Sequence, residues 1–480
     1  MATAIYTPSM LRGAGTRGIP EIPAGSSFSN TKSIDFDGID DYVDCGTYDD
    51  FFSSRSPDTK MSFSFWFKTS PSGDAHPKYF FSCANYTNGL NGYIKSGIVY
   101  FGTSSSTIAT STSTYDDGNW HHCLGVWDNL GATPTRLWID GVLVGTDTST
   151  RVNNFNEKPF YLGRETGGTG YKCYGGNLDE FAVWEGDMSG DVATIYNSGT
   201  PTDLTSLSPV AWYRMGENST FKTPQILMPE NINKDKVSNY SMEFDGVDDN
   251  IDCGDLSAYD NGDFTFSCWI YKTTSALEYV WSNGGSSATA GFGIAINNVE
   301  KIWMKRFTRT IDCATGYKNM GFTLNNWHNI VGIYTDSTNT MECYVDGVLK
   351  YTKVGAASTN SASLDLIMGS TSPAGSYDFT GKMDEFSIFN SVKAIGDIWD
   401  GTGKPTDLTG ESGLVGYWRM GEEATYDAVA SEWTIPDQAG SNDGTSANMT
   451  IEDREGDAPD SENNALSYNM DAADIDPDTP

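Results

Sequence analysis

The stretch Phe36–Gly46, which reads F-D-G-I-D-D-Y-V-D-C-G, decides the fold because the chain contains it twice. It returns at Phe244–Gly254 as F-D-G-V-D-D-N-I-D-C-G, with eight of eleven positions identical. The two copies lie 208 residues apart, far beyond the roughly 20–50 residues of a solenoid repeat. A repeat of this length predicts a duplicated domain, so we interpret the chain as one domain fold present twice.

Composition favours an all-β fold for each copy. The 480 residues leave room for two domains, each long enough to bury a core. Glycine is abundant, aromatic residues make up 13%, and turn signals recur without sustained helical periodicity. Met61–Lys68 and Phe264–Tyr271 alternate with period two, and Asp-Gly pairs at 140–141 and 346–347 separate apolar runs. These patterns predict strands with one buried face and a hairpin at each Asp-Gly pair.

The charge of the chain limits its partners. The formal net charge is −34, and such a negative field repels phosphate backbones, so we expect no nucleic acid partner. The same charge fits either cation binding or plain solubility. No stretch approaches the ~20 apolar residues of a membrane span, and the N-terminus lacks a basic head followed by an apolar run. We therefore expect no membrane insertion, no signal peptide and synthesis in a cytoplasm.

The cysteines are interpreted as core residues. Cys45 and Cys253 occupy equivalent positions, whereas Cys268 aligns with Phe65 of the first copy. Interchange of cysteine with apolar residues is typical of buried positions. We therefore predict free, buried thiols and no disulfide framework.

The two copies and the segments around them divide the chain into five parts. These are an N-terminal arm at 1–33, a first domain at 34–221, a linker at 222–240, a second domain at 241–425 and an acidic C-terminal tail at 426–480. The arm is slightly basic, and both ends carry only scattered apolar residues, such as Tyr6 and Tyr468. Such segments are either disordered or become ordered on a partner, by wrapping it or by pairing with a sheet edge.

The order of motifs in each copy resembles the laminin G-like, concanavalin A-like domains. The shared order is F-D-G-x-D-D-x-x-D, an aromatic strand with Trp, W-H, D-G-V-L and G-x-x-D-E-F, over Ile34–Glu217 and Met242–Glu422. The resemblance implies that each copy is a jelly roll of two antiparallel sheets packed face to face. The expected fold class is therefore all-β, with two concanavalin A-like antiparallel jelly-roll sandwiches in tandem and extended terminal segments.

The whole layout is also similar to tandem laminin G-like proteins of tailed bacteriophages. The similarity depends on W-Y-R-M-G-E at 212–217, Y-W-R-M-G-E at 417–422 and the C-terminal run beginning N-N-A-L-S-Y-N-M at 463–470. It implies a non-enzymatic virion structural protein, such as a decoration, fibre or adhesion component. Its expected partners are other virion proteins, or copies of itself, bound through the terminal segments, and host-surface glycans. The alternative is a soluble, carbohydrate-binding, lectin-like protein that is not part of a virion.

Repeated aspartates form a candidate calcium site in each copy. Calcium takes six to eight oxygen ligands, and the resemblance implies a cation held between the first strand and the D-E strand. The alternative is that these aspartates only shape a turn by accepting nearby N–H groups. Glu180 and Glu385 are weaker candidates, because the next residue in a strand points to the opposite face. The candidate ligands are Asp37, Asp40, Asp41, Asp179, Asp245, Asp248, Asp249 and Asp384.

Aromatic residues in glycine-rich turns are candidates for stacking on sugars. They are Tyr171, Tyr174, Trp281 and Tyr377, and the alternative is ordinary loop packing. The corresponding loops differ between the copies, so the two domains need not bind the same ligand. No strand shows the paired carboxylates of a glycoside hydrolase, and only four histidines are present. We therefore expect a protein that is not an enzyme.

Overall fold

The computed structural model shows a chain built almost entirely of β-strands. It describes residues 28–52, 60–71, 73, 75–83, 89–103, 108–128, 131–149, 159–166, 172–256, 262–283, 292–297, 301–306, 309–312, 321–355, 365–371 and 377–480. The short α-helices are α1 (Tyr48–Phe51), α2 (Val192–Tyr196) and α3 (Ile395–Ile398). Within the described ranges, no helix is both long and apolar enough to cross a membrane.

The strands follow one another in the same order in both copies. The first fifteen are β1 (Ser33–Asp37), β2 (Tyr42–Thr47), β3 (Lys60–Lys68), β4 (Lys78–Cys83), β5 (Leu90–Lys95), β6 (Ile98–Gly102), β7 (Ile108–Thr114), β8 (Trp120–Asp128), β9 (Thr135–Ile139), β10 (Val142–Asp147), β11 (Pro159–Leu162), β12 (Gly175–Trp184), β13 (Ala211–Tyr213), β14 (Thr220–Lys222) and β15 (Gln225–Met228).

The second copy repeats this series, and two further strands follow it. They are β16 (Ser241–Asp245), β17 (Asn250–Asp255), β18 (Phe264–Lys272), β19 (Glu278–Asn283), β20 (Phe292–Ile296), β21 (Ile302–Arg306), β22 (Arg309–Asp312), β23 (Trp327–Thr335), β24 (Thr340–Val345), β25 (Val348–Val354), β26 (Asp365–Met368), β27 (Thr380–Phe389), β28 (Leu414–Trp418), β29 (Thr425–Asp427), β30 (Glu432–Ile435), β31 (Gly444–Ala447), β32 (Arg454–Glu455), β33 (Ala465–Tyr468) and β34 (Ile475–Asp476).

Each copy forms two antiparallel sheets, which confirms the predicted fold class. In the first sandwich, one sheet has the order β10-β9-β8-β3-β12-β1-β34 with β13 beside β12, and the other is β14-β15-β33-β2-β11-β4-β5-β6-β7. In the second, the corresponding sheets are β25-β24-β23-β18-β27-β16-β32 with β28 beside β27, and β22-β21-β20-β19-β26-β17-β31-β30-β29. The predicted Asp-Gly hairpins join β9 to β10 and β24 to β25.

Two separate cores hold the two sandwiches. Phe36 belongs to one buried cluster and Phe244 to the other, and alternate residues of the flanking strands fill both. Burying these apolar side chains is the main source of stability for such a sandwich. The seven described cysteines are buried, which agrees with their interpretation as core residues.

The prediction of an acidic C-terminal tail is wrong, because residues 426–480 form strands of both sandwiches. Strands β29 to β32 complete the second sandwich. The chain then returns to the first sandwich, where β33 lies between β15 and β2 and β34 pairs with β1. Ala465 and Met470 are buried in the first core, although the apolar residues of this segment were expected to be either disordered or ordered on a partner. Scattered apolar residues here reflect the period-two pattern of short strands rather than a lack of structure.

The second sandwich is thus inserted into the first, between β15 and β33. Two crossing segments, 229–240 and 456–464, join the sandwiches, and the buried side chain of Asn464 ties them together. Its Oδ1 accepts from the backbone N–H of Glu230 and from Nδ2 of Asn233, at 2.9 Å each, and its Nδ2 donates to the carbonyl of Asn239 at 2.8 Å. The predicted linker at 222–240 therefore includes core strand β15 and one of two crossings.

Candidate functional site

A buried cluster of carboxylates lies where β12 meets the R-M-G-E motif. Asp179, Glu180 and Glu217 each bring a carboxylate oxygen within 4.8 Å of the others. Glu180 is held by Arg214, whose Nε and Nη2 donate at 3.1 and 3.0 Å, and by the indole N–H of Trp212 at 2.7 Å. We call Asp179, Glu180 and Glu217 the carboxylate clamp of the first domain.

The clamp holds the chain immediately before β1. Asp179 accepts from Nδ2 of Asn30 at 2.8 Å, and Glu217 accepts from the backbone N–H groups of Lys32, at 3.0 Å, and Thr31. The bonds to Glu217 are charge-assisted and satisfy two backbone donors that precede β1. The clamp therefore fixes the start of the domain.

The second domain repeats the clamp with Asp384, Glu385 and Glu422. Glu422 accepts from the backbone N–H of Tyr240 at 2.9 Å, and Asp384 accepts from the hydroxyl of Ser238. Each clamp thus forms hydrogen bonds with the segment that precedes the first strand of its own domain. The D-E-F and R-M-G-E motifs therefore have a structural role.

A β-bulge brings neighbouring acids to one place, contrary to the expectation for Glu180 and Glu385. The pairing of β12 with β3 shifts register between Asp179 and Ala182. Glu180 and Glu385 adopt positive φ angles of 50° and 49°, a region that few residues other than glycine enter. The bulge turns each glutamate toward its aspartate neighbour, and strand alternation no longer applies.

The Asp-Glu pair of each clamp is closed to solvent, whereas Glu217 and Glu422 are half-buried. Asp179 and Asp384 are 0% exposed, and burial, reinforced by the neighbouring carboxylates, raises the pKa of each well above its usual range. Burial likewise raises the pKa of Glu180. The buried carboxylates accept hydrogen bonds from donors of the chain itself, which favours a structural role.

The structure separates the predicted calcium ligands into different places. Asp37, Asp40 and Asp41 lie together in the turn after β1, and Asp245, Asp248 and Asp249 form the equivalent group after β16. Asp37 pairs with Gly175, four residues before Asp179, which corresponds to about 13 Å along a strand. The clamp aspartates, Asp179 and Asp384, therefore do not complete a site with the turn aspartates.

The turn aspartates already accept backbone hydrogen bonds. Oδ1 of Asp37 accepts from the N–H of Ile39 at 2.7 Å, and Oδ2 of Asp41 accepts from the N–H of Asp37 at 2.8 Å. The bond pattern favours turn formation. Three carboxylates also remain close enough to share one cation, which with water would fit the oxygen preference of calcium. Burial raises the pKa of Asp41 and of Asp249 to about 7.

The predicted sugar-stacking residues have different positions in the structure. Tyr174 and Trp281 are both 0% exposed, so their selection was wrong: Tyr174 donates to the carbonyl of Lys68 within the core, and Trp281 packs against Phe266. Their glycine neighbours suggested open loops, but the rings fill the space between the sheets. Tyr377 is 51% exposed and remains available. Tyr171 lies outside the described residues.

A cleft of about 1200 Å³ lies between the two sandwiches. The outer face of a first-domain sheet forms one wall, and the ends of strands β18, β23 and β27 of the second domain form the other. The two crossing segments line the cleft between these walls. Because these segments also tie the domains together through Asn464, the walls have a defined separation.

Three tyrosines from adjacent strands form an aromatic wall on the first domain. Tyr42, Tyr161 and Tyr468 come from β2, β11 and β33 and are all half-buried. Tyr42 stacks on Tyr468 with ring centroids 4.9 Å apart and meets Tyr161 edge-on at 5.3 Å. The guanidinium of Arg164 lies 3.5 Å from the Tyr42 ring centroid, a cation–π contact that orders the group. We call Tyr42, Tyr161 and Tyr468 the tyrosine wall.

The opposite wall carries a second aromatic pair, Tyr271 and Trp327. Their rings are 5.7 Å apart, and Nζ of Lys382 lies 5.7 Å from the Tyr271 ring centroid. Both rings are half-buried, and the indole N–H of Trp327 has no hydrogen-bond acceptor among the described residues. A rigid aromatic face with a free donor is suited to a ligand that presents both C–H and hydroxyl groups.

Sequence reasoning missed the cleft because its walls come from distant segments. Tyr468 had been interpreted as one of the scattered apolar residues of an end segment, and the W-H motif that contains Trp327 had served only to identify the family resemblance. One signal could have placed Tyr468: S-A-N-M at 446–449 recurs as S-Y-N-M at 467–470, so these segments should occupy equivalent strands.

A family model supports the relationship suggested by the motifs. The model for the concanavalin A-like lectin/glucanases superfamily matches residues 37–192 and 245–398, one range in each sandwich, which together exceed half of the chain. No curated protein matches the chain.

Three solved structures show likeness at low identity. Domains LG4–5 of the mouse laminin alpha1 chain are 12% identical, with 78% of this chain and 93% of that chain covered and a TM-score of 0.26. A candidate carbohydrate-binding protein from Bacteroides ovatus is 13% identical, with 84% and 94% covered and a TM-score of 0.35. The CBM40 of Ruminococcus gnavus IT-sialidase, bound to α2,3-sialyllactose, is 15% identical, with 32% and 91% covered and a TM-score of 0.27. The assignment therefore depends on the family model, and by that match the chain belongs to the concanavalin A-like lectin/glucanases superfamily.

Proposed function

We propose that the protein binds carbohydrate in the cleft between its two sandwiches. The observation that carries the proposal is the presence of half-buried aromatic rings on both walls, with polar side chains between them. Sugars present C–H groups to aromatic faces and hydroxyls to carboxylates and amides, so both kinds of group have partners here. The volume exceeds the roughly 300–1,000 Å³ of typical small-molecule pockets, which suits an oligosaccharide.

Binding is favoured over hydrolysis. The superfamily description names both lectins and glucanases. Hydrolysis requires two carboxylates that reach the glycosidic bond. The Asp-Glu pair of each clamp is buried, and the clamp acids accept hydrogen bonds from backbone and arginine donors, which argues against a catalytic role. We therefore propose a lectin-like protein without enzymatic activity.

A matched pair of tryptophan variants tests the cleft. Trp327→Ala removes a ring from the cleft, whereas Trp120→Ala removes the equivalent ring of the first domain, which does not line the cleft. Truncating an aromatic anchor at the centre of an interface typically costs 2 kcal/mol or more, so we expect at least about a tenfold loss of affinity in the first variant only. Glycan-array binding of the full chain, followed by calorimetric titration of the best glycan, provides the measurement.

A second variant separates stacking from folding. Tyr468→Phe keeps the ring on the tyrosine wall and should retain most of the affinity for the glycan. Tyr468→Ala removes the ring and should lose that affinity. The melting temperature of both variants is measured in parallel as the control for folding. Glycan binding that is unchanged in both Trp327→Ala and Tyr468→Ala would place the binding site elsewhere, with exposed Tyr377 as the next position to test.

The virion role suggested by the phage resemblance is a further part of the proposal. Since the C-terminal strands pair within this chain, attachment to other virion proteins or to further copies would depend on the N-terminal arm. Deleting residues 1–27 should leave both sandwiches folded and abolish assembly, measured by light scattering and by incorporation into particles. Normal assembly of the truncated chain would favour the soluble lectin-like alternative or a different contact surface.

Calcium at the turn aspartates is also proposed as a structural cation. A cation that binds only the folded state stabilises it by about 2.7 kcal/mol at a hundredfold excess over Kd. Thermal melting with added calcium and with chelator measures this effect. An unchanged melting temperature would leave the aspartates with the turn-forming role that their hydrogen bonds already support.

A further inference from the structure

The cleft has a strongly one-sided charge. Its lining includes eight carboxylate side chains and three basic ones. Any ligand that enters is therefore surrounded by negative groups in a partly closed space, where solvent screens charges less than on an open surface.

The basic groups of the cleft are already engaged by the protein. Lys382 pairs with Glu455 at 3.1 Å and with Asp457 at 2.8 Å. Lys236 donates to the carbonyl of Asp460. These contacts occupy the ammonium groups that would otherwise attract an anionic ligand.

The third basic group, Arg454, is turned away from the cleft. Its side chain is 1% exposed, and its guanidinium lies 4.5 Å from the ring centroid of Trp433. Its Nη1 donates to Oε1 of Gln225 at 3.3 Å, and its Nη2 donates to the carbonyl of Ala424. Arg454 therefore holds the two domains together. Its guanidinium does not present a pair of N–H donors to a carboxylate, sulfate or phosphate of a ligand.

Carboxylates remain beside the tyrosine wall. Glu452, from the short 3₁₀-helix Ile451–Asp453 of the second domain, lines the cleft near Asp44 and Tyr468. Burial raises the pKa of Asp44 to about 6; the charges of Asp50 and Glu452 act in the same direction, and Arg164 acts in the opposite one. Burial also raises the pKa of Glu455 to about 7, although Lys382 acts in the opposite direction. An additional negative charge is therefore unfavourable at this wall.

From this arrangement we infer that the cleft selects uncharged glycans and rejects sialylated, sulfated and uronic acid-containing ones. The inference depends on the proposed carbohydrate-binding function and adds the ligand class. Uncharged sugars donate hydroxyl hydrogens to the carboxylates and stack on the rings, whereas an anionic substituent meets an excess of like charge. The lysines of the lining are paired, and Arg164, which lies outside the lining, stacks on Tyr42 and Tyr161.

The test uses the full chain on an array that presents the same N-acetyllactosamine backbones in uncharged, sialylated and sulfated forms, together with other uncharged oligosaccharides. We expect the uncharged form of each backbone, or another uncharged glycan, to bind at least tenfold better than its anionic counterparts. The charge-reversal variant Glu452→Lys should reduce this discrimination at least threefold. Asp397→Lys, on helix α3 and outside the cleft lining, should leave it unchanged.

The outcomes distinguish this inference from the proposed function. Equal or better binding of sialylated or sulfated glycans overturns the inference and leaves carbohydrate binding intact. Discrimination that persists unchanged in Glu452→Lys shows that the charge of the cleft is not its cause and also overturns the inference. Binding to no glycan of any class overturns the proposed function, and the inference with it.

Discussion

The two sandwiches share one strand order but are completed in different ways. The second is continuous, because β29 to β32 follow directly after β28 and take their places in its sheets. The first reaches the same arrangement only when β33 and β34 return after the whole second domain has intervened. Insertion of one domain into another leaves two chain crossings, which constrain relative motion more than a single linker does. The cleft lies beside these crossings.

The outer faces of the equivalent sheets carry different residues at the positions that line the cleft in the first domain. The tyrosine wall of the first domain corresponds to Asn250, Ile367 and Ala447 in the second, so only one of the duplicated sheets carries the aromatic face. The core positions of these strands stay apolar in both copies. Duplication thus kept the packed faces and changed the outward ones, where substitutions cost little stability.

The opposite wall shows the reverse difference. Trp120 of the first domain donates its indole N–H to Asp478 at 2.9 Å, and Lys68 pairs with the same carboxylate. Trp327, its equivalent, has no such acceptor among the described residues, because the corresponding acid, Asp457, binds Lys382 instead. Each domain therefore supplies one aromatic face to the cleft, and the two faces come from different parts of the shared fold.

Deleting residues 456–480 should produce the largest difference in stability between the two sandwiches, because it removes β33 and β34, which complete the sheets of the first sandwich only. Without β33, strand β15 keeps only β14 as a partner, and the core that Ala465 and Met470 help to fill opens to water. We expect the first sandwich to lose hydrogen-exchange protection at β2 and β15, while β17 and β31 of the second sandwich stay protected. Mass spectrometry of exchanged peptides gives this measurement.

Two controls make the deletion informative. Removing only Thr479 and Pro480 should leave protection unchanged, since β34 ends at Asp476. A synthetic peptide of residues 456–480 added to the truncated chain should restore protection at β2. Protection of β2 that survives the deletion without the peptide would contradict the role of β33 in closing the sandwich.

Local patterns made most of the shared fold predictable. Period-two strands and Asp-Gly hairpins depend on near neighbours, so Met61–Lys68 and the turns at 140–141 and 346–347 could be predicted from sequence. Closure by β33 and β34 could not be predicted in the same way, because these two short strands pair with β2 and β1, more than 400 residues away in sequence. Their similarity to β31 and β32, at a spacing of 21 residues, was the available signal.

The candidate site was less predictable than the fold for physical reasons. Glycine neighbours made Tyr174 and Trp281 resemble loop residues, but burial depends on which sheet covers them. Alternation of a strand argued against Glu180, but a bulge reversed its direction. The cleft depends on how the two domains are joined. Asn464 and the two crossing segments determine this junction, and none of them belongs to a repeated motif.

A matched pair of serines should show that equivalent strands stabilise different domains. Oγ of Ser467 in β33 accepts from the buried N–H of Ile226 at 2.7 Å, and Oγ of Ser446 in β31 accepts from the buried N–H of Trp433 at 2.8 Å. Changing either serine to alanine leaves a buried donor unsatisfied, at a cost of about 1–3 kcal/mol. We expect Ser467→Ala to lower the stability of the first sandwich and Ser446→Ala that of the second.

Domain-resolved hydrogen exchange distinguishes the two serine variants from a general loss of stability. The free energy of opening should fall at β2 in Ser467→Ala and at β17 in Ser446→Ala, with little change in the other domain. Loss confined to the second domain in both variants would mean that β33 contributes nothing to the first.

The smallest effect should be a pH dependence that the two domains share. Asp41 and Asp249 occupy equivalent turns, and burial raises the pKa of each from 3.8 to about 7. In the folded state these carboxyls hold protons more tightly than in the unfolded chain, so they contribute most stability below about pH 4 and lose that contribution as pH rises toward 7.

Asn at either position keeps the oxygen that accepts the turn N–H and removes the titration. We expect Asp41→Asn and Asp249→Asn to be more stable than the unmodified chain at pH 8 and equally stable at pH 4. Each change should be modest because the surrounding turn is open to water. Denaturant unfolding at both pH values measures the difference. A larger advantage for the variants at pH 4 than at pH 8 would show that the aspartates are charged in the folded protein throughout this range.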